Sequence, residues 1–271
     1  FDIVVESPVI MVMSACSALV EDATSYRRLR NFALGLYVLS TGILVLLLLR
    51  WVYGPLMTGL IGLPQEVADL TYTALWILLP WPAAIGVRRF LQGILIRSDR
   101  TGLVAWGTLI RLAAMASTAF TLYWTSDLPG ALVGAAALSV GVVAEAMAAW
   151  WMARRSVAAL RTVRTEPDNE SAAMSYRGIA SFYYPLALTS LIGLTIQPML
   201  TFFMGRAASP LESLAVFPVV HSLSFIFRAL GLSFQEVGIA LMGKDHEHFP
   251  ELRRFALTLS VLVAGGLGLV A

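Results

Sequence analysis

The 271-residue chain is 58% hydrophobic and only 13% charged, and its mean hydropathy is +0.76. A soluble domain of this length could not bury so much apolar surface, so the composition predicts an all-α membrane protein that crosses the bilayer several times. The apolar runs are continuous rather than alternating, which excludes a transmembrane β-barrel. The net charge of +2 gives no indication of nucleic-acid binding, and the lone Cys16 excludes an intrachain disulfide and a cysteine metal cluster.

Hydropathy predicts eight membrane segments, separated by polar loops or by turns that contain glycine and proline. In chain order they cover residues 1–19, 31–52, 70–97, 102–124, 129–152, 179–204, 211–242 and 255–271. Proline residues interrupt several of these segments, and Pro80 and Pro82 fall within a single one. The chain opens and closes within apolar sequence, so we expect it to be an interior part of a longer protein.

The loops between the segments differ in charge. One set of loops contains fifteen basic residues, whereas the opposite set contains only Arg50 and Arg206. The larger set consists of Arg27, Arg28, Arg30, Arg88, Arg89, Arg97, Arg100, Arg154, Arg155, Arg161, Arg164, Arg177, Lys244, Arg253 and Arg254. This asymmetry predicts that the basic loops are cytoplasmic and that the protein lies in a plasma or inner membrane.

One stretch of the sequence occurs twice. Residues 29–44 (LRNFALGLYVLSTGIL) and 252–267 (LRRFALTLSVLVAGGL) align at a lag of 223 (252 − 29), and each follows a polar loop. Both copies leave a basic loop, so we expect them to cross the membrane in the same direction, as parallel repeats of transporters do. The repeat predicts two six-helix lobes related by a pseudo-two-fold axis.

Neither predicted lobe is complete in this chain. Residues 1–152 form the first lobe without its first helix, and residues 177–271 begin the second lobe without its last three helices. Between them, the long polar stretch of residues 153–176 is predicted to be a cytoplasmic linker.

The start of the second lobe resembles a known group of exporters. The stretches that carry the resemblance are residues 182–200 (FYYPLALTSLIGLTIQPML), 205–206 (GR), 210–211 (PL), 214–218 (LAVFP), 230–235 (LGLSFQ) and, in the first lobe, 89–93 (RFLQG). They resemble the multidrug/oligosaccharidyl-lipid/polysaccharide (MOP) exporter superfamily, most of all its multidrug and toxic compound extrusion (MATE) branch. Tyr183, Tyr184 and Pro185, with the intramembrane arginines, also resemble the progressive-ankylosis-type exporters of organic anions.

The resemblance implies a V-shaped pair of helical bundles around one central cleft, which works by alternating access. Drug exporters of this branch often carry an acidic residue in the first helix of a lobe, where it couples cation flow to transport. Segment 179–204 departs from that pattern, because Gln197 is its only strongly polar group. This segment therefore has no acidic residue that could couple cation flow.

Charged groups at membrane depth are expensive, so each is a candidate site residue. The residues predicted to line the cleft are Asp2, Glu6, Arg111, Gln197 and Arg228, and a secondary set comprises Gln92, Glu145, Gln235 and Glu236. Glu6 and Arg228 occupy nearly equivalent places in the repeat (228 − 223 = 5), and both are predicted to face the cleft. A structural ion pair, or an arginine that extends to the surface, is the alternative.

We expect Glu145 and Glu236, nearer the cytoplasmic boundary, to pair with basic loop residues. The glutamines either line the cleft or bond between helices. If the two boundary acids do pair with loop arginines, the deep cleft retains Arg111 and Arg228 against the two acids of the first segment.

Together these features predict a MATE-like secondary active transporter, coupled to protons or sodium ions, that exports a small organic solute and is not an enzyme. A flippase for a lipid-linked (poly)saccharide precursor and an exporter of small organic anions are the alternatives within transport. A membrane-embedded enzyme or scaffold is the alternative outside transport, although no nucleotide-binding or hydrolase motif is present.

No metal or other cofactor is predicted, because His246 and His248 lack further ligands nearby. The expected partners are the solute and the lipid bilayer, without nucleic acid, and the expected state is a monomer.

Overall fold

The computed structural model describes residues 2–62, 65–162, 175–204, 209–241 and 249–270. All regular structure within these ranges is helical, which confirms the all-α part of the predicted fold class. The chain divides into two compact units, Phe1–Pro198 and Met199–Ala271. This division falls within a helix and at neither predicted lobe boundary. The lobes predicted at 1–152 and 177–271 therefore stay a prediction.

The described residues of the first unit form eight helices, a π-helical turn and most of a ninth helix. These are α1 (Asp2–Ile10), α2 (Val12–Leu19), α3 (Ala23–Leu48), α4 (Arg50–Gly54), the π-helical turn Pro55–Leu60, α5 (Gln65–Ile77), α6 (Trp81–Arg97), α7 (Thr101–Thr125), α8 (Gly130–Thr162) and α9 (Tyr176–Met204). The second unit contains the end of α9, α10 (Pro210–Leu241) and α11 (Phe249–Val270).

Helix boundaries follow from local sequence chemistry. Asp22 Oδ1 accepts a hydrogen bond from the Ser25 backbone N–H at 2.7 Å, and Ser25 Oγ accepts one from the Asp22 N–H at 2.9 Å. This reciprocal capping box satisfies N–H groups that the start of α3 would otherwise leave unpaired. Pro80 and Pro82 mark the start of α6, and the predicted segment 70–97 is accordingly two helices, bent by 40° between α5 and α6.

The described residues of all eight predicted segments lie almost entirely on helices, but fewer of these helices meet the requirements of a membrane span. Among the described residues, α3, α7, α8 and α9 are long and apolar enough to cross a membrane, and α5 with α6 adds a fifth if the bent pair forms one span. The chain therefore has the features of an integral membrane protein. Eight crossings, the two-lobe repeat and the sidedness of the loops stay predictions.

The start of the predicted linker is helical. Helix α8 continues to Thr162, so it includes residues 153–162 of the linker, whose cytoplasmic position stays a prediction. Within this extension Ala153 is fully buried and Val157 packs against the main core. The remainder of the linker, 163–174, lies outside the described residues, as do His246 and His248.

The first unit contains two apolar cores. The larger one joins α2, α3, α6, α8 and the start of α9, with Cys16, Leu29 and Ile94 at its centre. Gly93 allows α2 and α6 to touch there, because a Cβ at this position would lie 2.7 Å from the Met13 carbonyl oxygen.

The smaller core lies at the other end of α3. It consists of Leu44, Leu48, Tyr53, Met57, Ala68 and Leu75. The Tyr53 hydroxyl donates a hydrogen bond to the Ala68 carbonyl at 2.7 Å, and burial raises the pKa of this phenol. Tyr53 is thus kept in the protonated form that can donate, and it links α4 to α5.

In the second unit, α10 packs on α11. The Phe234 and Phe255 rings lie 5.6 Å apart between centroids. Gly266 faces the Phe227 ring so closely that a Cβ there would lie 2.8 Å from it. An aromatic contact and a glycine thus lie at the interface where these two helices pack closely.

Candidate functional site: a buried ion cluster

The clearest candidate site of the first unit lies where α6, α7 and α8 meet. Small residues on α8 allow the close approach of α7: a Cβ on Gly141 would lie 2.3 Å from Met115 Cγ and 3.3 Å from the Arg111 carbonyl oxygen. Gly107 likewise lies over Glu145, where an added Cβ would contact Cγ at 3.6 Å. The small-residue seam between α7 and α8 therefore gives Glu145 close neighbours on α7 as well as on α6.

Glu145 is the centre of the site. Its Oε2 accepts a hydrogen bond from Arg88 Nη1 at 2.6 Å, and its Oε1 accepts one from Gln92 Nε2 at 3.2 Å. Arg88 and Gln92 are spaced i, i+4, which places both on one face of α6. From α7, Arg111 Nε lies 3.6 Å from Oε2, which is ion-pair distance but too long for a hydrogen bond.

Burial makes this cluster unusual. Glu145 is fully buried, the Arg88 side chain is 7% exposed, and that of Arg111 is 30% exposed. Two guanidinium groups face one carboxylate, so the formal charge of the cluster is +1 when Glu145 is ionised. The Nε atoms of Arg88 and Arg111 are both buried without a hydrogen-bond partner in the part of the chain that the structure describes. The cluster thus holds surplus positive charge and two N–H donors that could donate hydrogen bonds to a further ligand.

A second acidic residue is buried in the same unit. Glu6, on α1, is 8% exposed, and its Oε2 accepts a hydrogen bond from the Trp81 indole N–H at the start of α6. Nearby on α1, the Pro8 carbonyl accepts a hydrogen bond from the Tyr183 hydroxyl of α9. Pro8 O is one of the last four carbonyls of α1, which the end of a helix leaves unpaired. These two contacts hold α1 against α6 and α9.

The structure joins some of the predicted site residues and does not test others. Gln92, Glu145 and Arg111 form one cluster. The prediction was that Arg111 lines the cleft and that Glu145 pairs with basic loop residues. The backbones of Asp2, Gln197, Arg228, Gln235 and Glu236 lie in helices, but these side chains are outside the described residues. The predicted equivalence of Glu6 and Arg228 in the cleft therefore stays a prediction.

Two residues of these sites were missed. Arg88 was assigned to a basic loop, and that is wrong: it lies inside α6, is 6% exposed and is the nearest partner of Glu145. Its i, i+4 spacing from Gln92 was the available signal, because it places two polar groups on one helix face within an apolar segment. Trp81 lies between Pro80 and Pro82, and nothing in the sequence indicates its bond to Glu6.

Comparison of the chain with protein-family models, curated proteins and solved structures finds no match. The resemblance to the exporter superfamily therefore stays a prediction that depends on the sequence stretches quoted above.

Proposed function

We propose that the chain belongs to a MATE-like secondary active transporter that exports a small organic solute by alternating access, driven by protons or sodium ions. The observation that carries the proposal is the fully buried carboxylate of Glu145, held by two arginines among helices long and apolar enough to cross a membrane. The internal repeat of the sequence supports it.

A buried cluster of this kind is hard to explain by stability alone. Taking each ion out of water costs several kcal/mol, and the attraction between the partners offsets this only when every polar group is satisfied. Here two Nε donors are not satisfied by any described residue. In membrane proteins, ionisable groups within the bundle mark the paths of substrates and ions. Glu145 is the member that can exchange a proton, because arginine keeps its charge in proteins. We assign it the coupling role.

An exporter of small organic anions is the second candidate, and the charge of the cluster favours it. Arg88 and Arg111 outnumber Glu145, and their unpaired Nε atoms are donors that a ligand carboxylate would satisfy. A cationic solute would have to displace or neutralise this surplus positive charge. The solute class is therefore the first thing the experiment has to decide.

The test is transport by the purified protein in proteoliposomes under an imposed pH or sodium gradient. A fluorescent lipophilic cation and a radiolabelled dicarboxylate serve as alternative probes. We expect Glu145→Gln to abolish gradient-driven transport, whereas Glu66→Gln, an exposed position in the first turn of α5, should transport normally. Transport of the cation supports the drug exporter, and transport of the dicarboxylate supports the anion exporter. Transport of neither contradicts the proposal.

Loss of activity in Glu145→Gln alone does not separate coupling from folding, because it leaves Arg88 buried without its partner. The double variant Arg88→Gln/Glu145→Gln removes both charges of the closest pair together. Its melting temperature reports whether it folds. If it folds and still transports at the wild-type rate, the pair is structural and the proposed role of Glu145 is wrong.

A further inference from the structure

A second positively charged site lies where the start of α3 meets the end of α8. A cavity of about 470 Å³ opens there, lined by Ala23, Tyr26, Arg27, Arg30 and Arg161. Three of these five lining residues are arginines and none is acidic. None of them belongs to the Glu145 cluster, so the cavity is a separate feature of the first unit.

The Tyr26 ring organises the cavity. Tyr26 is 5% exposed and is held by the core, with the Phe90 ring centroid 5.8 Å from its own. The guanidinium carbons of Arg30 and Arg161 lie 5.8 Å and 5.9 Å from the centre of the Tyr26 ring. These are cation–π distances, and the two arginines come from different helices. The buried Tyr26 ring thus lies within cation–π distance of two like charges, and no described carboxylate lines the cavity beside them.

The arginines of the cavity have donors to spare. Arg27 Nε donates to the Ala23 carbonyl at 3.3 Å, and Arg30 Nη2 lies 3.4 Å from Asn31 Oδ1. Arg30 Nε is buried and has no partner among the described residues. No described carboxylate forms an ion pair with Arg27, Arg30 or Arg161. Within the described part of the chain, the site therefore lacks the carboxylate acceptors that clustered arginines normally have.

We propose that this cavity binds the phosphate group of a phosphomonoester. Such a group carries a charge of about −1.5 to −2 at neutral pH and three acceptor oxygens, which suits three arginines better than a single carboxylate does. The cavity volume of about 470 Å³ lies in the range of small-molecule sites, roughly 300–1,000 Å³. There is therefore room for an organic group beside the phosphate.

Two sources of phosphate share this chemistry. The cavity lies at the ends of two helices that are long and apolar enough to cross a membrane, where the headgroup of an anionic lipid is within reach. A soluble phosphomonoester would make the same contacts. The inference does not depend on the proposed transport function, because it uses none of the residues assigned to coupling.

The experiment measures binding to the whole protein by titration and by the rise in melting temperature. Glycerol 3-phosphate added to detergent-solubilised protein is the soluble probe, and nanodiscs of phosphatidylcholine with or without phosphatidic acid are the lipid probe. We expect saturable binding of at least one probe, weakened about tenfold or more in Arg30→Gln/Arg161→Gln because charge-assisted hydrogen bonds are lost. Added salt should weaken it as well.

Arg155→Gln is the matched control, because Arg155 is exposed on α8 and does not line the cavity. It should bind as the wild type does. The melting temperature of each variant without ligand shows whether it folds. Binding that is lost only in the double variant supports the site, and the probe that binds identifies the source of phosphate. Binding of neither probe, or an equal loss in Arg155→Gln, overturns the proposal.

Discussion

Replacement of Glu145 by leucine should destabilise the first unit by about 3–5 kcal/mol, the usual range when one partner of a buried ion pair is removed. The contacts give the same magnitude. The bond from Arg88 at 2.6 Å contributes about 1.5–3 kcal/mol and that from Gln92 at 3.2 Å about 1 kcal/mol. Arg111, at 3.6 Å and 30% exposed, adds less because solvent screens it. Most of the loss thus reflects Arg88, left charged and buried.

The assay is unfolding of the purified protein in mixed micelles by increasing sodium dodecyl sulfate, followed by tryptophan fluorescence. A double-mutant cycle with Arg88→Leu should give a coupling energy of about 1–3 kcal/mol, and a cycle with Arg111→Leu less than about 1 kcal/mol. Glu66→Leu is the control for a solvated acid. Hydrogen bonds between membrane helices average only about 0.6 kcal/mol. A loss below about 1 kcal/mol for Glu145→Leu, or stronger coupling to Arg111 than to Arg88, would refute the reasoning.

Three further predictions use the same preparation. Gly93→Ala should destabilise the protein by about 1–3 kcal/mol because its Cβ would meet a backbone carbonyl, whereas Gly134→Ala, which meets no atom within 4 Å, should be neutral or stabilising; equal unfolding midpoints would contradict this. Tyr37→Phe loses a buried 2.7 Å hydrogen bond and should cost about 1 kcal/mol in the same titration, unlike Tyr184→Phe at an exposed position. Cys16 is fully buried, so a maleimide should label it only after unfolding, and rapid labelling of the folded protein would disprove its packing.

Hydropathy predicted where the helices lie better than where they end. Segment 102–124 is observed as Thr101–Thr125, because Ser126 and the Asp127-Leu128-Pro129 turn that follows cannot continue a helix. Segment 129–152 was too short, because hydropathy reports the length that suits lipid. Arginine and alanine are strong helix formers, and they carry α8 past that limit to Thr162. Pro80 and Pro82 were recognised as an interruption, although the 40° bend between two helices was not.

The candidate site could be predicted only in part, because hydropathy does not show which distant residues pair with each other. Glu145, Gln92 and Arg111 were each recognised as polar groups within apolar segments. Arg88 was not, because it adjoins Arg89 and basic residues near the end of a segment normally lie at the membrane boundary. Arg88 and Glu145 are separated by 57 residues, and only the packing of α6 on α8 brings them together.

The pairing of Arg111 with Glu145 changes the electrostatic argument about the solute. The sequence placed Arg111 and Arg228 in one cleft against Asp2 and Glu6, with equal numbers of each charge. The described cluster instead contains two permanent cations and one carboxylate.

In the proposed transporter, protonation of Glu145 raises the charge of this cluster from +1 to +2 and strengthens its attraction for an anion, while deprotonation weakens that attraction. A proton and an anion are therefore bound together at this cluster, whereas a proton and a cation compete for it. Export driven by an inward proton gradient needs this competition, and the two permanent positive charges of Arg88 and Arg111 weaken the binding of a cation in either state of Glu145.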